Sequence, residues 1–190
     1  MPNSTIEQNI FPVINPLMII MKRLINLFII VLLVIPMTNG QSTETDTLSQ
    51  SKMKQLDFMI GKWEGSGWMM GFDGTKNDFD QTEHIQYKLD GTAVLVEGLG
   101  RSDGRIVHNA LAIITFNKET DKYNFQSYLS TGRGGSFPAE IIDNKMYWYP
   151  RDNMRYVISL NEEGQWFEVG EMKRNGEWFQ FFEMTLDKAD

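Results

Sequence analysis

From about residue 61 to its end the chain alternates apolar with polar side chains in short runs, and no stretch of helical period interrupts them. The runs lie near 62–70, 78–89, 92–101, 106–117, 122–130, 135–142, 145–150, 154–160, 165–173 and 177–187. Valine, isoleucine and ring-bearing residues concentrate in them, as strands require. Between the runs stand Asp90-Gly91, Asp103-Gly104, Asp143-Asn144, Asp152-Asn153, Glu163-Gly164 and Asn175-Gly176. Such pairs tolerate the positive φ of tight hairpin turns. Parallel βαβ units are excluded, because no helix separates the strands. About ten hairpin-linked strands read as an up-and-down meander, which as a flat sheet would expose two edges; closure removes both. The expected fold is therefore all-β, a roughly ten-stranded antiparallel up-and-down barrel.

Ahead of the first strand, Met53, Leu56 and Ile60 form a one-sided apolar stripe. This predicts a short helix that begins at Ser51 as N-cap, ends at Gly61 and closes one end of the barrel. The barrel domain is expected over 51–190, after a flexible polar lead at 42–50. Lys22 and Arg23, the apolar run Leu24–Ile35, Pro36 and the small or polar residues at 38–41 have the layout of a secretory signal peptide over 21–41. Its apolar run is short for a membrane-spanning helix, which needs about 20 residues. Residues 1–20 read as an upstream extension, with translation beginning at Met21. The domain is expected to be exported to the periplasm or beyond, without stable membrane insertion.

A short helix, then Gly61-Lys62-Trp63 on the first strand, then the long meander resembles the calycin group of lipocalins, fatty-acid-binding proteins and nitrobindin-like barrels. More narrowly, "LDFMIGKWEGSG", "YKLDGTAVLVEG", "HNALAIITFNKETDKYNFQSYLSTG" and "WFQFFEMTL" resemble the bacterial family called domain of unknown function 1579. The resemblance covers about residues 52–188 and implies a calycin-like barrel, with no agreed activity. Nitrobindin-like barrels hold haem through a histidine late in the chain. Here the histidines are His84 and His108, both in the first half, so no haem and no other cofactor is expected.

Composition narrows the chemistry. Without cysteine there is no disulfide, thiolate metal site or thiol nucleophile. The formal charge is −7, and loss of residues 1–41 removes Lys22, Arg23 and Glu7 and leaves the remainder more acidic by one charge. That balance, without a basic patch, argues against nucleic acid and anionic membrane surfaces as partners. No nucleophile elbow or zinc-protease motif is present. "TGRGGSF" at 131–137 lacks the lysine and the helix of a phosphate loop and reads as a hairpin, with Arg133 at the barrel mouth.

One parity of each barrel strand must face inward, and polar residues on that parity are the candidates for a site. Trp63 is expected to plug one end, with Gly65 and Gly67 leaving open space above it. Gln81, Glu83 and Tyr87 share a face with Phe79 and Ile85; Glu97 lies between Leu95 and Leu99. His108 shares its face with Ala110 and Ala112, Ser127 with Phe125, and Gln180 with Trp178 and Phe182. Buried carboxylates are costly unless paired or liganded, so these residues predict polar contacts in a ring-lined cavity. The expected function is to hold a small, largely apolar or amphipathic molecule without catalysis. Two alternatives stand beside it: an enzyme using Glu83, Glu97 and His108, and a structural or partner-binding barrel with a filled core. A β-bulge in any strand would turn its outer residues in, or its inner ones out.

Overall fold

The computed structural model describes residues 44–189. The expected signal peptide and upstream extension lie outside the described residues. Ten antiparallel strands close into one barrel, in the order β1-β10-β9-β8-β7-β6-β5-β4-β3-β2. They are β1 (Gly61–Met70), β2 (Lys76–Lys88), β3 (Ala93–Ser102), β4 (Arg105–Asn117) and β5 (Lys122–Leu129), followed by β6 (Gly134–Ile142), β7 (Lys145–Arg151), β8 (Met154–Leu160), β9 (Trp166–Arg174) and β10 (Glu177–Ala189). Every expected strand is present, with ends within two residues of the alternation limits.

Of the expected turn pairs, all but Asp152-Asn153 place at least one residue at positive φ. Asp143 and Asn144 both take positive φ, as do the pairs Asp103-Gly104 and Asn175-Gly176. Left-handed backbone at both central positions matches the twist of the flanking strands. Closure comes from β1 pairing with β10, running from Lys62 opposite Ala189 to Met69 opposite Phe182. Gly65 and Gly67 make that seam. A β-carbon on Gly65 would stand 2.3 Å from the Thr185 carbonyl oxygen, and one on Gly67 2.4 Å from that of Glu183. The open space expected above Trp63 is instead filled from neighbouring strands: Leu186 packs over Gly65, and Met184 and Phe79 over Gly67.

Helix α1 (Thr47–Met53) and a 3-10 turn (Lys54–Met59) precede β1. The helix starts earlier than Ser51: Asp46 is its N-cap, accepting hydrogen bonds from the Ser49 backbone N–H at 3.4 Å and hydroxyl at 2.7 Å. Asp46 satisfies an otherwise orphaned N–H, and Lys118 at its other side holds its carboxyl down at about pKa 2. The helix closes the end of the barrel that carries the β2–β3 and β4–β5 turns. Tyr87 donates its hydroxyl proton to the Met53 carbonyl at 3.1 Å and to Asp57. Tyr123 donates to the Lys52 carbonyl at 2.7 Å.

Trp63 is buried under this lid and donates from Nε1 to the Met59 carbonyl at 2.8 Å. Its ring meets Trp166 edge-on at 5.9 Å. Met53, Leu56, Met59, Ile114, Met146 and Leu186 complete a fully buried floor. At about 25 cal/mol per Å² of apolar surface, each large floor residue contributes roughly 2–3 kcal/mol. The core thus fills the helix end of the barrel and leaves the other end for a cavity. No helix among the described residues is long and apolar enough to cross a membrane.

Candidate functional site

A cavity of about 530 Å³ runs from Met59 and Trp166 at the floor to Arg133 and Arg151 at the open end. One wall is a ladder of rings. Trp148 is gripped between Phe125 at 4.6 Å and Tyr156 at 4.5 Å, both nearly parallel to it. Tyr156 in turn meets Phe182 edge-on at 5.5 Å. Stacking on both faces of the Trp148 indole fixes its plane, so its N–H edge has one direction.

The acidic part of the site is built from β2, β3 and β9. Glu83 is buried and accepts a hydrogen bond from Gln81 Nε2 at 2.6 Å through Oε1. Its second oxygen, Oε2, has no hydrogen-bond partner among the described residues. Space for this carboxylate is made on β3, where Gly98 stands opposite Glu83 and Gly100 opposite Gln81. A β-carbon at Gly98 would lie 2.6 Å from Glu83 Oε1, and one at Gly100 2.6 Å from Gln81 Oε1. The glycines are the cradle in which the two polar side chains lie flat.

Glu168 on β9 is the second buried carboxylate lining the cavity. Trp166 Nε1 donates to its Oε2 at 3.3 Å. Burial pushes the Glu83 carboxyl up to about 7, against the lowering effect of Gln81. Burial pushes Glu168 up to about 8, and the charge of Glu83 adds to the rise. The Trp166 and Trp148 N–H groups oppose it, although Trp148 Nε1 does not reach hydrogen-bonding geometry with any partner. No ion pair among the described residues involves either glutamate. Both carboxyls are therefore protonated in mildly acidic solution and begin to ionise near neutrality.

Of the sequence-derived candidates, the structure brings Glu83, His108 and Ser127 to the cavity. His108 is exposed at its open end, where desolvation of the ring lowers its pKa. Gln81 is buried as the partner that orients Glu83, and Trp63 is the plug beneath the floor. Tyr87 lies on the inner parity but serves the lid rather than the cavity. Gly65 and Gly67 belong to the β1–β10 seam.

Two candidates point the other way. Glu97 faces solvent beside His84 and Gln86, which donates to it at 3.3 Å. The inner parity of β3 is Val94, Val96, Gly98 and Gly100, so the glycine cradle left that face looking the less apolar of the two. Gln180 is also exposed, with Nε2 donating to Glu183 at 2.7 Å. A bulge between Gln180 and Phe182 resets the register of β10. Phe181 and Phe182 both pack toward Gly170, and Trp178 turns out to lie against the Arg155 guanidinium at 4.1 Å.

In the sequence nothing distinguishes Glu168 from an ordinary strand residue. On β9 both parities are apolar enough to be buried, Trp166 and Gly170 on one and Phe167 and Val169 on the other. The hairpin at Asn175-Gly176 sets Arg174 opposite Glu177, but the bulge after Gln180 shifts the register so that Glu168 lies opposite Met184, and the turn alone does not reveal its face.

Outside the cavity, a wide depression on the barrel wall lined by Asp78, Asp80, Arg101 and Glu183 contains no buried polar group. Among the described residues no cluster of histidine, aspartate and glutamate is arranged to hold a metal. No family model matches the chain, and no curated protein matches it.

Proposed function

We propose that this protein is an exported, calycin-like carrier or sensor of a small amphipathic molecule held inside the barrel, and that it belongs with the domain of unknown function 1579 family. The observation that carries the reading is a cavity of about 530 Å³ that combines a rigid ring wall with a buried carboxylate oxygen lacking a protein partner. A cavity of this size suits a small organic molecule, whose apolar body replaces water against the rings. An unsatisfied buried acceptor costs about 1–3 kcal/mol, a cost that a ligand donor removes. The cavity also favours this reading over a filled core. The secretory layout of residues 21–41 supports export.

A second reading rests on the same glutamates. Two carboxyls with pKa values raised by burial are suited to give and take protons near neutral pH. Glu97 has no part in it, because its side chain is outside the barrel.

Native mass spectrometry of protein purified gently from its own host tests the main reading. The expected spectrum contains a complex heavier than the chain, which loses a small organic molecule on denaturation. Protein that is ligand-free from every growth condition, and that takes up nothing from host extract, overturns it.

A further inference from the structure

The geometry points to a ligand that is an amphipathic primary amine, its ammonium group seated between Glu83 and Glu168 and its apolar body along the Phe125–Trp148–Tyr156 wall. This deepens the proposed carrier function and rests on it.

The argument begins with what is missing around the acids. Among the described residues Glu83 has one amide donor, Glu168 one indole donor, and neither has a protein cation. Buried carboxylates are ordinarily paired with a cation or kept neutral by a proton. Glu83 Oε2 is buried in the cavity wall with no donor of its own, which marks where an N–H of the ligand is needed. The cradle of Gly98 and Gly100 holds that carboxylate in place without help from the ligand. A pre-set acceptor loses little freedom on binding.

Charge balance then sets how the amine binds. In the empty cavity at pH 6 the pair carries two protons and no charge, in keeping with the raised pKa values of both groups. When an ammonium enters, one carboxyl releases its proton to solvent and becomes its counter-ion, while the other stays protonated. The buried site is neutral before and after. The other titratable or charged groups facing the cavity are His108, Arg133, Arg151 and Tyr156. Burial and the Glu168 charge raise the Tyr156 hydroxyl, so it stays neutral. Desolvation lowers the pKa of the His108 ring, so it is uncharged at pH 8. Arg133 and Arg151 at the mouth repel a second cation, so the amine carries one ammonium, inserted first, with an apolar or acidic end outward.

Three fluorescent probes that share a dansyl ring and one alkyl chain, ending in an ammonium, a methyl or a carboxylate group, separate the outcomes. At pH 8 the ammonium probe is expected to bind about tenfold or more tightly than the methyl probe. That preference shrinks as pH falls to 6, where calorimetry in buffers of different ionisation heat reads about one proton released per amine bound. In the double variant Glu83→Gln, Glu168→Gln, which remains foldable because each amide replaces a protonated carboxyl, the preference and the proton release both fall away. Equal binding of all three probes, or preference for the carboxylate probe, overturns the amine inference and leaves the carrier function standing. Binding of none overturns both. An amine preference that survives in the double variant places the cation elsewhere and overturns the proposal as well.

Discussion

Gly98 on β3 lies directly across the ladder from Glu83 on β2, so close that a β-carbon on the glycine would stand 2.6 Å from the carboxylate. The acid and the space it occupies are thus one feature of two adjacent strands. Gly98→Ala is expected to force the Glu83 side chain off its rotamer and destabilise the barrel by about 1–3 kcal/mol. Combined with Glu83→Ala it should cost at least about 1 kcal/mol less than the two single changes added together, read by urea denaturation of all four proteins. Simple additivity would mean that the glycine serves some other purpose.

The two raised carboxyl pKa values make stability depend on pH in a definite sense. Burial raises Glu83 to about 7 and Glu168 to about 8 in the folded chain, whereas an exposed glutamate in the unfolded chain titrates near 4.5. Between these limits the folded state holds more protons, so stability is full below about pH 4.5 and falls as pH rises through 7 to 8. Asp46, Asp73 and Glu140 have lowered values and act oppositely, losing their contribution only as the solution becomes more acidic than that range. The double variant Glu83→Gln, Glu168→Gln is expected to be more stable than the parent by about 1–4 kcal/mol at pH 8. At pH 5 the two should differ by less than about 1 kcal/mol. Denaturation curves at both pH values check this, and parallel pH profiles would refute the assignment of protonated acids.

The lid is held by tyrosine hydroxyls donating to carbonyls at the end of α1. Tyr87→Phe and Tyr123→Phe each remove such a donor while keeping the ring, and each is expected to cost about 1 kcal/mol. Hydrogen exchange should quicken over residues 47–59 in the double variant while the strands keep their protection. Uniform loss of protection would show that the lid does not open as a separate unit.

Closure of the barrel rests on the approach of β10 to the glycines of β1. Gly65→Ala puts a methyl group 2.3 Å from the Thr185 carbonyl, against backbone that has no rotamer to yield. A loss of at least about 2 kcal/mol is expected, with exchange quickening first at the β1 and β10 amides. A neutral substitution would mean that the seam is loose in solution.

The barrel was legible because its evidence is local. Period-two alternation and Asp-Gly or Asn-Gly turns depend on neighbours a few residues apart, and strand ends and hairpins follow from them. Glu83, His108 and Ser127 were found for the same reason: they share the parity on which β2, β4 and β5 bury their more apolar face. The site's other half was not local. Glu168 lies 85 residues after Glu83, and only the closed order of strands places both in one cavity.

Alternation by itself therefore determined that this chain forms hairpin strands and that one face of each is buried. Which face, and what meets what inside, waited on tertiary structure. A bulge beside Phe181 reverses the apparent parity of the first half of β10, and two glycines on β3 give up their own bulk so that side chains from β2 lie over them. Both effects are settled by the fit of one strand against the next, and a single strand's pattern carries no record of its neighbour's shape.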